Sequence, residues 1–292
     1  GHERYIRRIA YLPGGERVVT CSYDKTIRIW DVEKGEQEGT SMVHEDAVHG
    51  LAVTRDGKRI LGGGWDKKIS VWDVETHEQV EEWASHTSHI ECIALSPDDQ
   101  LAASGTADGK IVITSRAMKE SGEIKHWIHT GHRVDSLCFS PNGQKLACGG
   151  IIGTDGQVIQ IYGVESGQLV ISPMKGHEDI IRCVLWSHDG SQLFSASDDH
   201  TIRCWDTETG ELIGEPWTGH TDTVFSLSLS PDGTKLASIS RDSTVRFWDA
   251  HSGDPIEHPL QHETSQVAVT FSPSGEFVAS GGYDGKLSIW RV

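Results

Sequence analysis

An all-β fold of seven repeated antiparallel sheets follows from three observations on this 292-residue sequence. Histidines recur at His2, His44, His86, His132, His177, His220 and His262, at intervals of 42, 42, 46, 45, 43 and 42 residues. Between them, short runs alternate apolar and polar residues, as in VFSLSLS at 224–230 and IECIALS at 90–96. That period of two belongs to strands with unlike faces. No segment of useful length repeats its apolar residues every 3.6 positions, so helices are not expected in the core.

Each unit carries the same elements in the same order. A loop opened by the histidine leads into the first, alternating strand. A tight turn follows (PDG at 231–233, PNG at 141–143, HDG at 188–190, PSG at 273–275), with Gly where the backbone needs positive φ. The second strand is built of small residues, LASIS at 236–240 or VASGG at 278–282, and ends at a turn holding an Asp such as Asp242 or Asp284. The third strand closes on Trp-Asp in four units (RIWD, SVWD, RCWD, RFWD). After a Gly-containing turn comes an outermost strand, QEGTSM at 37–42 or QVEEWAS at 79–85. One four-stranded sheet cannot bury both its faces alone. Stacked radially, each sheet packs on the next.

With His, Asp and Trp-Asp in register at a period near 43, the chain resembles the WD-repeat (tryptophan-aspartate repeat) β-propeller family over essentially its whole length. The resemblance implies a seven-bladed β-propeller of four-stranded antiparallel blades, one domain over residues 1–292. The seventh unit stops at Val292, directly after the Trp290 strand, and only Gly1 precedes His2. The last blade is therefore expected to be three-stranded, with KLSIWRV left as an edge open to pairing. In this family a hydrogen-bonded chain of Trp, hydroxyl, His and Asp ties each blade. The resemblance carries that role to His2, Ser22, Asp24 and Trp30, to His177, Ser197, Asp199 and Trp205, and to His220, Ser240, Asp242 and Trp248. Blades two and seven put Gly64 and Gly282 at the expected hydroxyl position. Blade three has Thr114 in place of Trp. Blade four has Tyr162 in place of Trp and three extra residues before Asp155, so blades three and four are expected to be the least rigid.

Forty-three acids against 26 bases give a net charge of −17, which disfavours nucleic acid or an anionic membrane as partner. No apolar run approaches the ~20 residues of a membrane span, and no basic-then-apolar leader opens the sequence. The six cysteines are scattered without metal-ligand spacing and read as free thiols, so a cytoplasmic location is expected. Acids crowd the third turns and outer strands (Asp31, Glu33, Glu36, Glu38; Asp73, Glu75, Glu78, Glu81, Glu82), which reads as a solvated rim. A Ser, a His and an Asp in one unit suggest a hydrolase, but the trio recurs around the repeat and no G-x-S-x-G elbow occurs. No metal or cofactor is expected: the histidines beyond the repeat markers show no H-x-H or H-E-x-x-H spacing, and no phosphate-binding Gly loop appears.

The function implied is a non-enzymatic scaffold that binds a protein or peptide, with the sensor region of a larger signalling protein as one form of it. The alternative is an enzyme built in the central channel. A monomer is expected. The residue before each repeat Asp and the one near the start of each first strand should share one face around the channel mouth. The turns give Tyr23, Trp65, Ala107, Thr154, Asp198, Arg241 and Tyr283. The strand starts give Arg7, His49, Glu91, Asp135, Arg182, Phe225 and Val267. Aromatic and Arg side chains dominate binding hot spots. The expected ligand is therefore a peptide with an apolar anchor on the aromatic residues and a basic group facing Glu91 and Asp135.

Overall fold

The computed structural model describes residues 1–83, 86–116, 122–151, 158–256 and 258–292. The chain is all-β, a seven-bladed β-propeller whose sheets are meanders with strands paired antiparallel in chain order. Blade one is built of Ile6–Tyr11, Arg17–Ser22, Thr26–Asp31 and Glu36–Val43, and blades two, three, four and six repeat this four-stranded plan. The last blade has three strands, Gln266–Phe271, Phe277–Gly282 and Leu287–Arg291. Blade five also forms a three-stranded sheet, its outer segment reduced to the isolated bridges Ile202–Trp217 and Trp205–Leu212. Thr154, Asp155 and the last two residues of QVEEWAS lie outside the described residues. Among the described residues no helix is long and apolar enough to cross a membrane.

Two compact units make up the chain: Gly1–Ile90 with Ser228–Val292, and Glu91–Leu227. In the first, Leu12, Val19, Ile27, Ile29, Val48, Ile60 and Trp72 anchor a core cluster. In the second, one cluster centres on Ile111, Ile113, Leu146 and Tyr162, another on Ile159, Val184, Trp186 and Trp205.

Every second strand is buried beyond its first residue, on both faces, rather than on alternate residues. Small residues there let sheets approach closely. A Cβ on Gly62 would come within 2.4 Å of Ile27 Cδ1, and one on Gly149 within 2.6 Å of Ile181 Cγ2. The turn glycines add a second kind of contact. Gly57, at φ +69°, lies so close to the Pro13 ring that a Cβ would sit 3.0 Å from it.

Candidate partner-binding site

Two of the described blades show the tie in full, and a third shows its Trp–hydroxyl link. In blade five the Trp205 indole N–H donates to Ser195 Oγ (2.8 Å), Ser195 contacts His177 Nε2 (2.7 Å), and His177 Nδ1 donates to Asp199 Oδ2 (2.6 Å). Blade one repeats this with Trp30, Thr20, His2 and Asp24 at 2.8, 2.6 and 2.7 Å. In blade six Trp248 donates to Ser238 at 2.8 Å. The sequence assignment of the hydroxyl was displaced by two residues: the bridging groups are Thr20, Ser195 and Ser238, not Ser22, Ser197 and Ser240. Ser22 instead donates toward the Tyr5 carbonyl and accepts from the Asp24 amide, and Ser197 bonds the Asp179 carbonyl and the Asp199 amide. Both residues of each pair lie on one face of the strand, but only the earlier one is the diagonal neighbour of Trp, two positions past the residue paired with it: Leu193 pairs with Trp205, Val18 with Trp30 and Leu236 with Trp248. The same shift corrects the two glycine blades. Blade seven has its hydroxyl, Ser280, between His262 and Trp290 at 3.2 and 3.3 Å. Blade two has Gly62 there, and Trp72 donates directly to His44 Nε2 at 3.2 Å.

The strand-start residues owe their position to a β-bulge. In the first strands of blades one, two, four, five and seven the pairing slips by one residue, leaving Arg7, His49, Asp135, Arg182 and Val267 as the unpaired extra residue. A bulge bends the strand and re-aims that side chain. The turn residues are held by the neighbouring loop: the amides of Tyr23, Trp65, Asp198 and Tyr283 bond the carbonyls of Tyr5, Ala47, Ile180 and Ser265.

In the first unit these two sets merge into one run of rings. Tyr283 stacks on Tyr5 (centroids 5.1 Å apart), Tyr5 on Tyr23 (4.0 Å), Tyr23 meets His49 and Trp65 (4.5 and 5.5 Å), His49 meets Trp65 (5.4 Å), and Trp65 stacks on His89 (5.4 Å). Trp65 and Tyr283 are 39% and 49% exposed, large for aromatic residues, while His49 and Arg7 are buried. Burial, and then a hydrogen bond to Tyr23, hold the Tyr5 phenol far above its usual range, with Arg7 pulling the other way. Tyr5 and His89 were missed by sequence reasoning. Both occupy the position three after the repeat histidine, immediately before the first strand, and aligning that column of the units exposes them.

The second unit is ionic instead. Arg133 reaches Glu91 at 2.9 Å and Asp135 at 3.0 Å, and both carboxylates are buried. Arg182 grips Asp198 with two bonds of 2.8 and 2.5 Å. The basic group expected to face Glu91 and Asp135 is thus an arginine of the chain itself. Phe225 is half-buried and has no ring partner among the described residues, and Arg241 is exposed, its carbonyl accepting from Ser265. Among the described residues no cluster of three or more His, Cys, Asp or Glu is placed to hold a metal.

The WD domain, G-beta repeat model matches the sequence seven times, at residues 1–31, 35–73, 77–115, 124–160, 167–206, 210–249 and 254–291. The chain belongs to the WD-repeat family. WD-repeat propellers are in general protein-interaction scaffolds and generally lack enzymatic activity. This WD-repeat chain is also similar to the human Intraflagellar transport protein 122 homolog, 32% identical over 68 residues. The match takes in 23% of the chain and 5% of that protein.

Proposed function

We propose that this WD-repeat chain is a non-enzymatic recognition module that binds a peptide segment of a partner protein through the ring cluster of its first unit. The residues engaged are Tyr283, Tyr5, Tyr23, Trp65 and His89, with His49 and Arg7 beneath them. The observation that carries this reading is the continuity of six rings from blades seven, one, two and three, presented by turns and bulges. Aromatic side chains bury much area with few rotors to freeze, which makes such a cluster an affinity source. The charged groups of the second unit are paired with one another, which leaves them a bracing role.

Selection of a random peptide library on the immobilised protein tests the reading. Peptides recovered should lose about tenfold or more in affinity on Trp65→Ala or Tyr23→Ala, each of which is worth about 1–3 kcal/mol at a hot spot. Retention of full affinity by both variants would refute this placement of the site.

A further inference from the structure

We infer that the ligand of the ring cluster is a proline-rich segment in polyproline II conformation, with a basic residue at the end that lies over Tyr283. The inference rests on the binding role proposed above and adds the class of ligand. Three features point to it.

The first is the shape of the cluster. Tyr5 is stacked between Tyr23 and Tyr283, at 4.0 and 5.1 Å, and Trp65 has His89 stacked on it and His49 tilted against it. The inner ring faces cover one another, so no box of free faces remains to enclose a cation. What is presented is a ridged strip of ring edges with the outer surfaces of Tyr283 and Trp65. A strip suits a ligand that is already extended and loses little entropy on docking, and polyproline II is such a backbone.

The second is the donor pattern. Among the described residues the Trp65 indole N–H and the Tyr283 hydroxyl have no protein hydrogen-bond partner, and both residues are well exposed. Polyproline II has no internal hydrogen bonds and its proline residues offer carbonyls only. Ring edges flanked by N–H and O–H donors meet both its apolar rings and its carbonyls, the mode by which aromatic-lined grooves take proline-rich segments.

The third is charge. Asp284 follows Tyr283 in the chain, and Glu263 lies in the loop whose Ser265 carbonyl accepts from the Tyr283 amide. Both acids are exposed and pair with no Lys or Arg side chain among the described residues, though Asp284 accepts from the Lys286 amide and acts on His262. At the Trp65 end the acids are already engaged: Glu45 pairs with Lys68 at 3.2 Å and Asp46 with Lys25 at 3.6 Å. Of the two ends of the strip, the Tyr283 end therefore carries the acids without a Lys or Arg partner, which orients the ligand.

The test uses synthetic decapeptides and the indole N–H resonances of the intact protein. A proline-rich decapeptide ending in arginine should shift the Trp65 resonance in a saturable way. A Gly-Ser decapeptide with the same terminal arginine, and tetramethylammonium, should not. Trp65→Ala and Tyr283→Ala should each weaken binding about tenfold or more while the thermal midpoint stays within a few degrees. Glu263→Gln should weaken the arginine-bearing peptide severalfold and leave an uncharged proline peptide unchanged. If library peptides without proline bind in a Trp65-dependent way while the proline-rich probes do not, the ligand class is wrong and the binding face stands. If no peptide depends on Trp65 or Tyr283, the face itself is wrong, and this inference falls with it.

Discussion

His177 and Asp199 meet through a 2.6 Å hydrogen bond with both side chains shielded from solvent. The Nδ1 proton goes to the carboxylate, leaving Nε2 to accept from Ser195, so the neutral ring completes the chain from Trp205. Burial, outweighing Asp199, pulls the His177 pKa down; burial also acts to raise Asp199, but His177 and the two bonds from Thr201 together hold it well below the usual carboxylate range.

Both shifts have the same sign for stability. A histidine whose folded pKa is lowered contributes stability above its unfolded pKa of about 6.5, and that is lost as pH falls. A carboxylate with a lowered folded pKa likewise contributes above about 4 and loses its contribution as pH falls further. His132 and His262, both lowered mainly by burial, and Asp24, held low by its bonds against burial, act in the same direction. Urea midpoints should be flat from pH 7 to 8, decline below about 6.5, and drop again below about 4. A midpoint that rises on acidification from pH 7 to 5 would contradict this.

Removing the bridging hydroxyl should separate the two serine columns. Ser195→Ala leaves the Trp205 N–H and His177 Nε2 without their shared partner and should cost about 2–3 kcal/mol by urea denaturation. Ser197→Ala loses only peripheral bonds to backbone and should cost about 1 kcal/mol. Equal losses would mean that the chain through Ser195 carries no special weight.

Arg133→Met takes a closely paired cation from two buried carboxylates, Glu91 and Asp135, and should destabilise by about 3–5 kcal/mol at pH 7. With Arg133 gone, burial disfavours the charged form of these acids, so the deficit should shrink as pH falls and they become neutral. Adding Glu91→Gln with Asp135→Asn to the variant should restore part of the loss. A deficit independent of pH would show that lost packing, not stranded charge, is the cause.

Gly64 illustrates a glycine required by close approach. Its backbone φ is not in the left-handed region, yet a Cβ would fall 1.9 Å from the Ala47 carbonyl oxygen, a backbone atom that cannot swing aside. Gly64→Ala should therefore cost more than Gly131→Ala, where φ is +81° but nothing lies within 4 Å and only about 1 kcal/mol of strain is expected. Comparison of the two unfolding free energies checks this, with the reverse order as the contrary result.

The repeat, the strand order and the three-stranded last blade were all legible in the sequence, because turn residues and period-two runs are local signals. The hydroxyl column was not. In SAS at 195–197 and SIS at 238–240 two serines stand two apart on one strand face, and only the register against Trp205 or Trp248 separates them. For the candidate site, the bulged and turn positions could be found by counting from the histidine. The partners could not: that Arg133 rather than a ligand neutralises Glu91 depends on a contact across 42 residues.

The slip in pairing that frees Arg7, His49, Asp135, Arg182 and Val267 also releases these five positions from the ladder's bookkeeping. A residue outside the register can be exchanged without moving any neighbour to the wrong face of its sheet. Arginine, histidine, aspartate and valine are all accommodated at one structural address. The side chain at this address is thus set blade by blade, and a change there alters one blade without shifting the register of its sheet.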